Sequence, residues 1–312
     1  MKAVFLDRGS FPTSIQFNTP TGLSEFREYQ TTKCEQTLER LQGFDVVLVN
    51  KVQLRADVLA QCPSIKLILV TATGTNNIDL EYCQANQIDV KNVSGYSINS
   101  VPEHTFSLLL ALKRNLIAYS QATEKGDWSK SEHFCFHDYP ISDLAGSNLV
   151  IFGKGALGNQ VAVIAKAFGM RTYFSERKGA TNVRDGYIAF DEALALADVI
   201  SFHCPLTDDN KHMIDASAFS KMKANCVLIN TGRGGLVDEV ALSDAIMNKQ
   251  IAGAGFDVAT VEPMPNTHLL QTLSKQANFI LTPHVAWASH DSMQTLANTS
   301  MQQLTDFLGS HL

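Results

Sequence analysis

Three residues of unlike chemistry, Arg233, Glu262 and His284, each follow a short apolar run in the second half of the chain. Arg233 stands in Ile229-Asn230-Thr231-Gly232-Arg233-Gly234-Gly235, where glycines leave the backbone free around a single guanidinium. That planar fork of donors suits a carboxylate with an adjacent carbonyl. His284, in Leu281-Thr282-Pro283-His284, offers an imidazole able to move a proton near neutral pH. Glu262, before Pro263, could pair with the imidazolium form. Each also has an ordinary reading: a surface arginine, a structural histidine, a Glu-Pro turn. Together, at successive strand ends where an open α/β sheet puts its ligand crevice, they read as an anion-binding and proton-transfer set.

A second constellation is Gly153-Lys154-Gly155-Ala156-Leu157-Gly158. It follows the apolar run 148–152 and precedes helical periodicity over 159–168, the strand–turn–helix context of a dinucleotide site. The first glycine permits the turn, the second lets backbone amides approach a pyrophosphate, and the third allows close helix–sheet packing. The helix N-terminus adds partial positive charge. The next strand ends at Ser175-Glu176, where a carboxylate accepts both ribose hydroxyls of NAD and repels a 2′-phosphate. Arg177 and Lys178 follow, a basic pair that could tolerate the phosphate if Glu176 swung away.

These residues need strand ends to hold them, and the apolar pattern supplies them. Runs at 2–6, 44–50, 66–70 and 89–93 read as strands, with helices over 55–61 and 79–86 between them. A second series, 148–152, 171–175, 198–203, 226–230, 252–257 and 279–281, alternates with helical periodicity in the same way. Such alternation means βαβ units and parallel sheets. The glycine-rich turn comes midway, so the expected fold is two doubly wound parallel-sheet α/β domains. A Rossmann NAD-binding domain over 99–287 is inserted into a flavodoxin-like substrate domain made of 1–98 and 288–312, to which a helix over 292–308 returns. Residues 101–116 read as one long apolar helix and 128–144 as an irregular stretch.

The net charge of −6 over 312 residues excludes the basic face that nucleic-acid binding requires. No apolar run nears a bilayer span, and the start of the chain is charged too soon for a signal peptide. Six cysteines without CxxC spacing fit reduced thiols and a cytoplasmic protein. His133, Cys135 and His137 alternate, so all three would share a face if extended. A fourth ligand is lacking nearby and Phe134 and Phe136 suit an aromatic contact, so no metal is expected.

Along nearly its whole length the chain resembles the D-isomer-specific 2-hydroxyacid dehydrogenases. The resemblance is carried, in the family's order, by the Gly153 motif, by His203-Cys204-Pro205-Leu206-Thr207, and by Asn230-Thr231-Gly232-Arg233-Gly234-Gly235-Leu236-Val237-Asp238. Gly255-Phe256-Asp257-Val258 with Glu262-Pro263, and Thr282-Pro283-His284-Val285-Ala286, complete it. It implies an NAD-dependent enzyme in which Arg233 binds substrate carboxylate and carbonyl, Glu262 tunes the histidine, and His284 is general acid and base. It implies cofactor contacts from Ala156, Leu157, Glu176, Thr207, Gly232 and Asp257, the last to the nicotinamide amide, with Thr105 and Thr231 as further candidates. Backbone amides at Thr73, Gly74 and Thr75 would hold the substrate carboxylate as an anion nest, and Lys51 is a further substrate candidate.

Other stretches, among them Ala72-Thr73-Gly74-Thr75-Asn76-Asn77-Ile78-Asp79 and His284-Val285-Ala286-Trp287-Ala288-Ser289, are similar to the branch that reduces hydroxypyruvate to D-glycerate. Glyoxylate, pyruvate and phosphohydroxypyruvate stand as alternative substrates, and an NAD(H)-sensing binding protein as the alternative outside enzymes. The cofactor is expected between the domains, with hinges at 95–101 and 286–289. A homodimer is expected because the 101–116 helix and the 128–144 stretch carry apolar surface beyond what one sheet needs, and because dimers are usual in the family.

Overall fold

Val46–Val49 and Leu67–Val70 are buried at every position, as strands must be when helices cover both faces of a parallel sheet. The computed structural model describes residues 1–310 and divides into two units, Met1–Ser97 with the segment from Ala288 onward, and Ile98–Trp287.

The first unit contains β1 (Lys2–Phe5), β2 (Glu25–Glu28), β3 (Val46–Val49), β4 (Leu67–Val70) and β5 (Asp89–Asn92). All pairings are parallel and the order is β2-β1-β3-β4-β5, the flavodoxin-like arrangement. Val4, Val47, Val49, Ile68 and Val70 share one core with Leu41 and Leu59 from the covering helices. Edge strand β2, Glu-Phe-Arg-Glu, has no apolar run and was invisible in the hydrophobic pattern. Helix Cys34–Leu41 was equally so, because it buries only Thr37 and Leu41. The returning helix spans His290–Gly309, longer than expected at both ends, and starts at Ser289, whose side chain accepts from the Ser292 amide. It is tied to β5 by Gln303 Nε2 donating to the Asn92 carbonyl at 3.0 Å.

The second unit contains β6 (Asn148–Phe152), β7 (Arg171–Phe174), β8 (Val199–Phe202), β9 (Val227–Asn230), β10 (Gly253–Phe256) and β11 (Phe279–Leu281). They pair in parallel in the order β11-β10-β9-β8-β6-β7. Beyond β7, Ser175 bridges Ile188 in parallel, so a single residue takes the place of the third strand in the Rossmann order. Alternation along the strands feeds two cores. Val150, Phe152, Ile200, Phe202 and Leu228 face one side, and Leu149, Ile151, Val199, Val227 and Ile229 the other.

The expected 101–116 helix is two helices. Ser100–Lys113 ends before Asn115, whose φ of +47° breaks the hydrogen-bond ladder, and Leu116–Glu124 follows. The first helix packs Phe106, Leu108, Leu109 and Leu112 beneath this unit's own sheet. It therefore has no spare apolar face, which corrects half of the reasoning for a dimer. The exposed apolar side chains come later: Leu116, Ile117, Trp128, Ile141 and Phe134, the last 90% exposed. Among the described residues no helix is long and apolar enough to cross a membrane.

Candidate active site

His284 follows β11 and Glu262 lies in the loop after β10, two neighbouring strands. Their side chains meet: His284 Nδ1 lies 2.6 Å from Glu262 Oε2. The second oxygen, Oε1, accepts from the Ala259 amide at 3.0 Å, which fixes the carboxylate plane. The loop bearing Glu262 is braced in turn by Glu239, which accepts from the Thr260 amide at 2.8 Å and the Thr260 hydroxyl at 2.9 Å. His284 itself has φ +55°, a left-handed conformation rare for a residue with a Cβ. Such backbone persists only where neighbours over-determine it.

The over-determination comes from Asp257, which is fully buried at the end of β10. Its Oδ1 accepts from Thr282 Oγ1 at 2.5 Å and the Val285 amide at 2.9 Å, and its Oδ2 accepts from the Ala286 amide at 2.8 Å. The loop that carries His284 is thus pinned on both sides of it. The resemblance gave Asp257 only a nicotinamide contact; its anchoring of this loop is new. His104 Nε2 lies 3.0 Å from Thr282 Oγ1 and 3.5 Å from Asp257 Oδ1. The sequence does not single it out, because an isolated histidine on a helix carries no spacing signal.

Arg233 follows β9, and Asn230 at the strand end shapes its loop: Nδ2 donates to the Arg233 carbonyl at 2.9 Å and Oδ1 accepts from the Gly232 amide at 3.1 Å. Arg233 Nη1 donates to the Gly232 carbonyl at 2.8 Å. A Cβ on Gly234 would fall 2.2 Å from the Ala259 carbonyl carbon, so this glycine is what lets the Arg233 and Glu262 loops touch. Thr105 and Thr231, both buried, pair through their hydroxyls at 3.1 Å.

The three glycines of the nucleotide turn differ in what surrounds them. Gly153 has φ +108°, and a Cβ there would strike the His203 carbonyl oxygen at 2.5 Å. Gly158 would place a Cβ 1.9 Å from the Gly153 carbonyl oxygen, whereas Gly155 has open space around it. Gly155 caps helix Ala156–Ala167, whose first-turn amides, from Ala156, Leu157 and Gly158, lie at the helix N-terminus. An open backbone at a helix N-terminus fits a pyrophosphate. Thr207 begins the turn after β8, its amide donating to Asn210 Oδ1 at 2.8 Å. Directly after β8, burial pushes the His203 imidazole down to about 4. Its Nε2 pairs with Ser201 Oγ at 2.8 Å.

Glu176 departs from expectation in its company. It is buried and its partner is Arg184, with Nε on Oε2 at 2.7 Å and Nη2 on Oε1 at 2.9 Å. This guanidinium holds the Glu176 carboxyl down at about 2. Lys178 is instead occupied with Asp215 at 2.6 Å, so Arg177-Lys178 does not act as the pair envisaged.

In the first unit Thr73, Gly74 and Thr75 lie in the turn after β4. Thr73 Oγ1 donates to the Val93 carbonyl at 2.9 Å, and the Thr75 carbonyl accepts from the Ile78 amide at 2.9 Å. Lys51 follows β3, its amide donating to Asp7 Oδ2 at 2.6 Å. Of the suspected ligand trio, Cys135 Sγ lies 3.5 Å from His137 Nε2. Among the described residues, no group of three His, Cys, Asp or Glu side chains is arranged to hold a metal ion.

A Rossmann sheet with a phosphate turn and an imidazole–carboxylate pair at its strand ends defines a dinucleotide-dependent oxidoreductase. Comparison with known proteins agrees. The D-isomer specific 2-hydroxyacid dehydrogenase NAD binding domain matches residues 106–286. A glycerate dehydrogenase of Methylorubrum extorquens is 44% identical over 309 residues, 98% of this chain and 96% of its own. A hydroxypyruvate reductase of Blautia hydrogenotrophica is 32% identical over 315 residues, 99% of this chain and 97% of its own. Among solved structures, a D-lactate dehydrogenase from Aquifex aeolicus complexed with NAD and lactic acid has a TM-score of 0.83 at 27% identity, covering 99% of this chain and 96% of that one. This chain belongs to the D-isomer-specific 2-hydroxyacid dehydrogenases: it is an NAD-dependent oxidoreductase acting on the CH–OH group of a small hydroxy acid.

Proposed function

We propose that the reaction is reduction of hydroxypyruvate to D-glycerate. The observation that carries this reading is the 2.6 Å contact between His284 Nδ1 and Glu262 Oε2 at the strand ends of the NAD-binding unit. The names of the Methylorubrum and Blautia relatives direct it to hydroxypyruvate. Bound NADH supplies the hydride that reduces C2. With Nδ1–H committed to Glu262, Nε2 is the ring nitrogen that delivers a proton to the C2 oxygen as charge develops there. Arg233 sets its fork against the substrate carboxylate and carbonyl, a contribution both positional and electrostatic. The Thr73, Gly74 and Thr75 amides and Lys51 complete the hold on the carboxylate. Ala156, Leu157 and the glycines take the pyrophosphate, Glu176 the adenosine ribose, and Thr105, Thr207, Thr231, Gly232 and Asp257 the remainder of the cofactor. Residues 1–98 and 288–312 serve as the substrate domain and 99–287 as the NAD domain.

The functional unit is a homodimer, its contact supplied by the apolar groove of Tyr119, Trp128, Phe134, Phe136 and Ile141. A cytoplasmic setting accords with six free thiols. Loss of NADH absorbance with hydroxypyruvate, glyoxylate, pyruvate and phosphohydroxypyruvate tests the substrate. The highest kcat/KM should fall to hydroxypyruvate, and a higher value for another keto acid would overturn the assignment. Sedimentation of Phe134→Asp should show monomers if the groove is the dimer contact.

A further inference from the structure

We infer that Arg184 is the residue that lets this chain accept a 2′-phosphorylated adenosine ribose, by neutralising Glu176 and turning its remaining donors to the phosphate. The inference rests on Glu176 as the ribose acceptor.

Glu176 is only 4% exposed, and four donors already converge on its two oxygens. Oε1 accepts from Arg184 Nη2 at 2.9 Å and the Arg177 amide at 3.0 Å. Oε2 accepts from Arg184 Nε at 2.7 Å and, at 3.4 Å, from the Arg184 amide. An ionised carboxylate has about four acceptor sites in all. Two ribose hydroxyls can therefore donate to Glu176 only after the guanidinium has left it.

A 2′-phosphate meets a different surface. A guanidinium carries five N–H donors; Nε–H and one Nη2–H are spent on Glu176, and the other three remain. Arg184 has a side chain 55% exposed to solvent and lies over the Tyr187 ring at 4.1 Å. Lys154, from the nucleotide turn, sits over the same ring at 5.1 Å and over Phe174 at 5.2 Å. The acid that should repel a phosphate is thus covered by one cation with a second on the same aromatic shelf. The shelf also gives Arg184 a place to rest when unphosphorylated ribose displaces it, since a guanidinium stacks well on a tyrosine face. Lys178 has no part in this, being held by Asp215.

The test is calorimetric binding of ADP-ribose and 2′-phospho-ADP-ribose to the full chain, fragments that bind without turnover. The wild type should bind both, the phosphorylated one with the steeper salt dependence. Arg184→Ala should weaken 2′-phospho-ADP-ribose roughly tenfold or more, the scale of losing hydrogen bonds to a charged group. It should leave ADP-ribose equal or tighter, because the competing latch is gone. Arg184→Lys, which keeps charge but not the fork, should fall between. An affinity ratio unmoved by Arg184→Ala, or a wild type that does not bind the phosphorylated fragment, overturns the inference. Glu176→Gln separates the two levels. If it moves the ratio and Arg184→Ala does not, the ribose reading stands and Arg184 has no role; if neither moves it, both fail.

Discussion

The two units use the same device for different ends. In the first, Asp7, just past β1, accepts from the amides of Asn50 at 2.7 Å, Lys51 at 2.6 Å and Val52 at 3.2 Å in the loop leaving β3. In the second, Asp257, just past β10, accepts from Thr282 and from the amides of Val285 and Ala286 in the loop leaving β11. Each is a buried carboxylate whose lone pairs are filled by the exit loop of an adjacent parallel strand. The difference lies in what each loop carries. At Asp257 it carries a histidine with a carboxylate partner; at Asp7 it carries Lys51 and backbone donors. Desolvation also pushes the Asp7 carboxyl up despite its amide partners. On the proposed reading, the same anchoring thus serves proton transfer in one unit and anion holding in the other.

The largest expected effect comes from removing what the second loop carries. His284→Ala should lower kcat by roughly 100-fold or more, the usual share of a general acid, with ADP-ribose binding unchanged by calorimetry. A turnover close to wild type would remove His284 from proton transfer. Next is Asp257→Asn, which turns an NH₂ donor toward the Ala286 or Val285 amide. Each amide left unsatisfied costs about 1–3 kcal/mol, and misplacing His284 should lower kcat and alter its pH profile. Lower stability with intact kcat and profile would make Asp257 a structural anchor only.

Asp7→Asn is the matching change in the first unit. It should cost a similar 1–3 kcal/mol or so by the same donor–donor conflict, yet raise KM for the keto acid while sparing kcat. Equal losses of kcat in both variants would erase the distinction between the two loops.

The smallest effect separates the units by pH. His203, in the second unit, is held neutral by burial down to about 4, whereas an unfolded histidine takes a proton near 6.5. The unfolded chain then binds more protons, so stability falls as pH drops from 6.5 toward 4. Asp7 acts with the opposite sign: its carboxyl is raised, so its contribution is present at low pH and lost as pH rises through the raised value. Glu176 adds an acid loss only from its ordinary 4.5 down toward about 2. Melting temperatures at pH 7 and 4.5 should therefore differ less in His203→Gln than in the wild type; an equal difference would place the acid sensitivity elsewhere.

Legibility followed the reach of each interaction. The glycine turn was readable because its roles are local: Gly153 and Gly158 meet each other and His203 through backbone. Strands β3, β4 and β6 were readable because burial on both faces leaves unbroken apolar runs. Edge strand β2 leaves none, since one side of it has no neighbour. The break at Asn115 falls at the polar trio Lys113-Arg114-Asn115 between two apolar stretches, which by hydrophobicity alone reads the same as the polar face of one continuous helix, even though φ changes sign there. Arg177 and Lys178 drew attention by adjacency to Glu176, but the cation that reaches it stands eight positions on, brought back by the Ser175–Ile188 bridge.

By itself, then, the sequence determined the two parallel sheets, the nucleotide turn and the candidate chemical set of Arg233, Glu262 and His284, because apolar period, glycine spacing and residue type are properties of short segments. The pairing of Glu262 with His284 was already suggested by the sequence, and the tertiary structure set it at 2.6 Å across two strand ends. Only the tertiary structure decided that Asp257 meets the loop beyond β11 and that Arg184 meets Glu176. Those pairings depend on strand order and loop return, and no local pattern encodes either.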